Sequence, residues 1–200
     1  MTENLKKQFD EQTSNYISLG ISEHSGPCWP LAVPWKSMAN AFNMKTPSVN
    51  ITVEELNDPE LWEKLRSYVV VGCYIFAELK DYSFLKHLPN LWDVHIERGK
   101  NIRDLEFMRE LKEWFMLYIE DAEIPSLEPL FPDGRKERLS SYCIGLADCK
   151  TDDISALIKP EVWLSELVII NKKGANDKER WESVRCLDYS YYEYDPEAQN

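Results

Sequence analysis

The sequence predicts an α/β fold of stacked coils, each adding one short strand to a shared parallel sheet. Two observations predict it. First, six apolar-x-apolar triplets recur along the 200-residue chain: Val49-x-Ile51, Val71-x-Cys73, Val94-x-Ile96, Leu117-x-Ile119, Ile144-x-Leu146 and Leu167-x-Ile169. Their first members lie 22, 23, 23, 27 and 23 residues apart. Second, the flanking apolar residues keep the same register. Leu85, Leu88 and Leu91 precede Val94 by the steps that separate Met108, Leu111 and Trp114 from Leu117. A fixed period in this range is expected where each coil buries its apolar face only against its neighbours. About six coils with a cap at each end are expected.

Taken in order, residues 1–20 are polar, with scattered Leu5, Phe9, Tyr16 and Ile17, and are expected to form one helix or stay loose. Residues 21–48 carry Cys28-Trp29-Pro30, Pro34-Trp35 and Phe42, an aromatic segment suited to covering the first coil. Residues 49–174 hold the repeats. Within them, Asp58-Pro59 followed by Leu61, Trp62 and Leu65 predicts a helix with Asp58 as cap and proline at its first position. Leu105, Met108 and Leu111 predict a second short helix. The long fourth interval implies an insertion at 131–138, where Pro132 and Asp133-Gly134 make a surface turn. Residues 171–180 read as an exposed charged loop. Residues 175–200 are expected to be a C-terminal cap strand, over 184–194, with an acidic, tyrosine-rich tail.

The pattern resembles the leucine-rich repeat family, written L-x-x-L-x-L-x-x-N/C-x-L. The best local fit is Ile144-Gly-Leu146-Ala-Asp-Cys149, and the middle repeats look most like the bacterial form of about 22 residues per repeat. The resemblance covers about residues 49 to 170. It implies a right-handed solenoid with strands on a concave face, short helices or loops on a convex face, and a role in binding other proteins. The chain departs from the pattern at the N/C position, which reads Glu54, Phe76, Gly99, Ala122, Cys149 and Lys172 with no asparagine, and at Ser141, where an apolar residue is expected.

Composition narrows the function. The formal net charge is −12, from 35 acidic and 23 basic residues. Nonspecific nucleic-acid binding needs a basic footprint, so none is expected; a basic protein partner fits better. The longest apolar run, Tyr68 to Ala77, is too short to span a bilayer. No apolar stretch follows the lysines at the N-terminus, so a cytoplasmic location is expected. Cys28, Cys73, Cys143, Cys149 and Cys186 then read as reduced thiols.

No GxGxxG, Walker loop, HExxH, GxSxG or paired zinc-type cysteine motif is present, and neither a cofactor nor a metal is expected. Strand alternation places one side chain of each triplet on the face opposite the core. Read this way, Tyr74, Asp93, His95, Glu97, Tyr118 and Glu120 form an aromatic and acidic patch, with Glu97 beside Glu120 and His95 beside Tyr118. Side-by-side carboxylates are unfavourable unless something basic lies between them. The patch therefore points to a lysine- or arginine-bearing partner, and the chain to a non-catalytic binding module such as an adaptor, inhibitor or immunity-type partner. Two alternatives are an enzyme or metal site around His95, Glu97 and Glu120, and a structural subunit that self-assembles. Asp148, Asp152 and Asp153 read as a solvated turn.

Overall fold

The computed structural model describes residues 1–24, 46–111, 114–131, 142–174 and 177–195. Cys28, most of the expected N-terminal cap, the insertion beyond Phe131, Ser141 and the last five residues lie outside them. Helix α1 (Glu3–Asp10) opens the chain, its first turn capped by the Thr2 hydroxyl, which accepts from Leu5 N. Strands follow at β1 (Tyr16–Ser22), β2 (Ser48–Thr52), β3 (Val69–Ile75), β4 (Asp93–Ile96) and β5 (Met116–Glu120). The later ones are β6 (Glu123–Ser126), β7 (Cys143–Ala147), β8 (Lys150–Asp153), β9 (Leu164–Lys172) and β10 (Cys186–Tyr194). Short helices α2 (Pro59–Leu65), α3 (Glu106–Arg109) and α4 (Lys178–Trp181) lie in the connections. Asp58 caps α2 as expected, its carboxylate accepting from Glu60 N at 2.8 Å.

Eight strands form one parallel sheet in the order β10-β9-β7-β5-β4-β3-β1-β2, and β6 pairs with β8 in a small second sheet. This corrects the expected leucine-rich-repeat solenoid. In a stack of coils the strands lie side by side in chain order. Here β1, from the segment expected to be loose or helical, sits between β2 and β3 and pairs with both. The first expected repeat strand is thus an edge strand that does not touch the second. The face expected to be open is also withdrawn from water: Cys143, Glu166 and Val168 are fully buried on it, and His95 is 4% exposed. A parallel sheet buried on both faces reads as nearly continuous apolar runs, and β7, Cys-Ile-Gly-Leu-Ala, is buried at all five positions. The fold is an α/β protein built on an eight-stranded parallel sheet.

The register differs from expectation at β3. Leu19, Cys73, Val94, Leu117, Ile144 and Leu167 align across the sheet, so the core pair of β3 is Cys73 and Ile75 rather than Val71 and Cys73. The run Val69-Val-Val-Gly-Cys-Tyr-Ile75 is apolar in either register, so alternation alone could not separate the two. The consequence for the site is direct: Tyr74 becomes the lateral neighbour of His95.

The two edges of the sheet are treated differently. On β2, the Gln8 side chain of α1 donates to Asn50 O at 3.0 Å and accepts from Asn50 N at 2.7 Å, while Glu55 accepts from Thr52 N at 2.9 Å. Side chains thus complete the outward backbone bonds that would otherwise template another strand. Leu117, fully buried in the central strand, should lose about 2–5 kcal/mol on Leu117→Ala, the usual cost of a buried methylene cavity. Gln8→Ala should cost only ~1 kcal/mol, because water replaces the lost bonds at an edge. Urea unfolding midpoints measure both, and equal losses would refute this ranking.

Candidate functional site

The site lies where β4, β5 and β7 end, and its aromatic floor comes first. Parallel pairing sets Tyr74, His95 and Tyr118 in one row on adjacent strands. The His95 and Tyr118 rings lie 4.4 Å apart, with Tyr74 at 6.1 Å and Phe76 at 6.4 Å from His95 on the other side. One row toward the strand starts, the Tyr74 hydroxyl donates to Asp93 Oδ2 at 2.9 Å. Burial pushes the Asp93 carboxyl above the usual range, and the Tyr74 hydrogen bond opposes that rise. Tyr118 is 6% exposed; burial, followed by the charge of Glu120, raises its phenol well above the ordinary value.

The carboxylates stand at the strand ends. Glu97 follows β4 directly, Glu120 closes β5, and Asp148 follows β7, with Glu120 paired to Ala147 one residue earlier. Burial raises the Glu120 carboxyl above its ordinary value, and the nearby charges of Glu97 and Asp148 raise it further; His95 opposes them. Asp121 and Asp148 both turn the chain with positive φ, 59° and 48°. Aspartate tolerates this left-handed turn better than most residues do, which explains acidic residues at both strand ends. Asp148 is tied down: its Oδ1 accepts from Lys172 N at 3.0 Å, and its Oδ2 accepts from the Tyr194 hydroxyl of β10. That bond, ahead of burial, holds the Tyr194 phenol at about 12.

His95 Nε2 lies 3.4 Å from Glu97 Oε1, within ion-pair reach, yet it is buried without an aligned hydrogen bond. A buried imidazole nitrogen without such a bond carries an unmet polar demand at the foot of the carboxylates.

The backbone beneath the cluster is close-packed. Gly99 N donates to Glu120 O at 2.8 Å, and a Cβ at Gly99 would stand 2.8 Å from that same oxygen. This answers what replaces asparagine in the turns: at Gly99 a backbone donor reaches the next strand, and at Cys149 the thiol reaches Ile119 O at 3.3 Å. Burial pushes the Cys149 thiol up to about 12, and Cys73, Cys143 and Cys149 are all buried.

All six patch residues named from sequence therefore lie on, or in Glu97's case directly after, three neighbouring strands. His95 and Tyr118 form a buried floor rather than an exposed surface, Tyr74 and Asp93 bind each other, and Glu97 and Glu120 stand at the rim. Sequence reasoning missed Phe76, Tyr194 and the role of Asp148, which it placed in a solvated turn. An aspartate directly after a buried strand, in line with Asp121, was the available signal. Among the described residues no cluster of histidine, cysteine, aspartate and glutamate has the arrangement of a metal site, and no helix is long and apolar enough to cross a membrane.

No protein-family model, curated protein or solved structure matches this chain. The leucine-rich-repeat resemblance thus remains one of sequence pattern.

The raised Glu120 carboxyl has a defined consequence for pH. A carboxyl whose folded pKa exceeds its unfolded value adds stability below the unfolded value, and that stability is lost as pH rises through the folded one. At neutral pH the charged Glu120 therefore costs stability. Glu120→Gln should raise Tm at pH 7 by roughly 1–2 °C, kept small by solvent screening of a half-exposed group. The advantage should vanish once the solution is acid enough to protonate Glu120. Calorimetry across that range checks it, and a Tm difference independent of pH would refute the assignment.

Proposed function

We propose that this chain is a protein-binding module whose partner is basic, and that it seats a lysine or arginine of that partner over Glu97, Glu120 and Asp148. The observation that carries the reading is geometric: Glu97, Glu120 and Asp148 stand at three adjacent strand ends, where burial first and then the two neighbouring charges raise the Glu120 carboxyl at an electrostatic cost. A cation seated among them offsets that cost and turns mutual repulsion into attraction. The buried rings of Tyr118 and His95, 4.4 Å apart and tilted by 34°, back the carboxylates from below, and the net charge of −12 steers a basic partner toward the chain.

A charge-neutral variant tests this directly. Glu97→Gln/Glu120→Gln should keep the fold and weaken capture of basic proteins by about tenfold, the effect of losing ~1.4 kcal/mol. Added salt should weaken the wild type more than the variant. Capture that is unaffected by the substitutions and insensitive to salt would sink the proposal. An enzyme or metal reading built on His95, Glu97 and Glu120 predicts something else: a divalent cation should raise the Tm of the wild type and not of the variant.

A further inference from the structure

The two edges of the eight-stranded sheet differ in a way that the carboxylate site does not use. The β2 edge is closed by the side chains of Gln8 and Glu55. Among the described residues, the β10 edge has no such cover, and strand β10 pairs only with β9, over Cys186 to Tyr194. Lys173 N donates to Tyr194 O, so Tyr194 turns its backbone toward β9. Backbone direction alternates along a strand, so Tyr189, Tyr191 and Glu193 turn their N–H and C=O groups outward.

This edge is nonetheless firmly held. The Tyr191 hydroxyl donates to Asp177 Oδ1 at 2.7 Å, and the Tyr194 hydroxyl donates to Asp148. A pre-ordered strand loses little entropy on accepting a neighbour. Its surroundings also have a sign. Asp188 and Glu193 lie on β10 itself, which carries no lysine or arginine, and Asp195 follows it, 3.9 Å from Lys173 Nζ. Leu187, 72% exposed, and Tyr192 offer apolar contact beside the charges.

We infer that β10 is a docking edge on which an extended, lysine- or arginine-bearing segment of a partner protein adds as a ninth strand. Backbone bonds to Tyr189, Tyr191 and Glu193 would supply the pairing, and the acidic flank would select basic side chains over acidic ones. A second copy of this chain is a poorer occupant, since it would set the carboxylates of two like-charged strands, Asp188 and Glu193 of each, against one another. The inference rests on the reading that the partner is basic, and it adds the surface and the conformation of the bound segment.

The test uses the full chain and two synthetic strand-forming peptides, one alternating lysine with valine and the other glutamate with valine. The lysine peptide should bind and slow amide exchange at Tyr191 and Glu193, while the glutamate peptide should not. Glu193→Pro removes an outward N–H without breaking the ladder to β9, and should weaken binding by roughly tenfold. Glu193→Gln keeps the N–H and should lose much less. Unchanged thermal unfolding of Glu193→Pro guards against misfolding as the cause. Absence of binding, equal binding of both peptides, or binding without protection of β10 would overturn the inference. Binding abolished by Glu97→Gln/Glu120→Gln but not by Glu193→Pro would also overturn it, while leaving the basic-partner reading intact. Light scattering that showed a dimer lost in Glu193→Pro would assign the edge to a second copy instead.

Discussion

The in-register parallel pairing of β3, β4, β5, β7 and β9 is the constraint on which the rest depends. It aligns Cys73, Val94, Leu117, Ile144 and Leu167 in one buried row and Ile75, Ile96, Ile119, Leu146 and Ile169 in the next. Because side chains alternate, the same pairing lines up Tyr74, His95 and Tyr118 on the opposite face. A slip of one residue in any of these strands would send its apolar pair out of the core and break that row. The site is thus a by-product of the register that packs the core.

The rim of the site exists because parallel strands all end at the same side of the sheet. Each must then turn back, and at β5 and β7 the turn is made by Asp121 and Asp148 in left-handed conformation. The residue type that eases the turn is also a charged one. Local backbone preference therefore concentrates negative charge where burial at the sheet has already reduced the screening of Glu120. Hydrogen bonds relieve Asp148 through Lys172 N and Tyr194, and none of comparable kind is needed for the backbone of Glu120, which receives Gly99 N. Lys172 Nζ also stands 4.0 Å from Asp148, whereas the Glu120 carboxyl stays raised, by burial first and by Glu97 and Asp148 next.

Much of this was legible in the strand triplets. Five of the six triplets held their register, and the neighbours of His95 and Glu97 on β5 followed from counting alone. What misled was the period itself. A spacing of 22 to 27 residues suits stacked coils, but it equally suits a series of strands joined by short crossovers in an α/β sheet. Strand β3 shows the limit most clearly. Its seven residues are apolar or small throughout, so counting chose Val71 where pairing chose Cys73.

The sequence by itself determined the strands at the six triplets and over 184–194, though not β1, β6 or β8, and it determined that Leu117 and its equivalents face a core and that the chain is strongly acidic, because these depend on local alternation and composition. Only the tertiary structure decided that β1 lies between β2 and β3, that His95 and Tyr118 are buried, and that Tyr194 reaches Asp148. Each of these is a contact between residues far apart in the chain or a matter of what covers a face. A period-two pattern records that a side chain leaves the backbone on one side; it carries no information about what waits there.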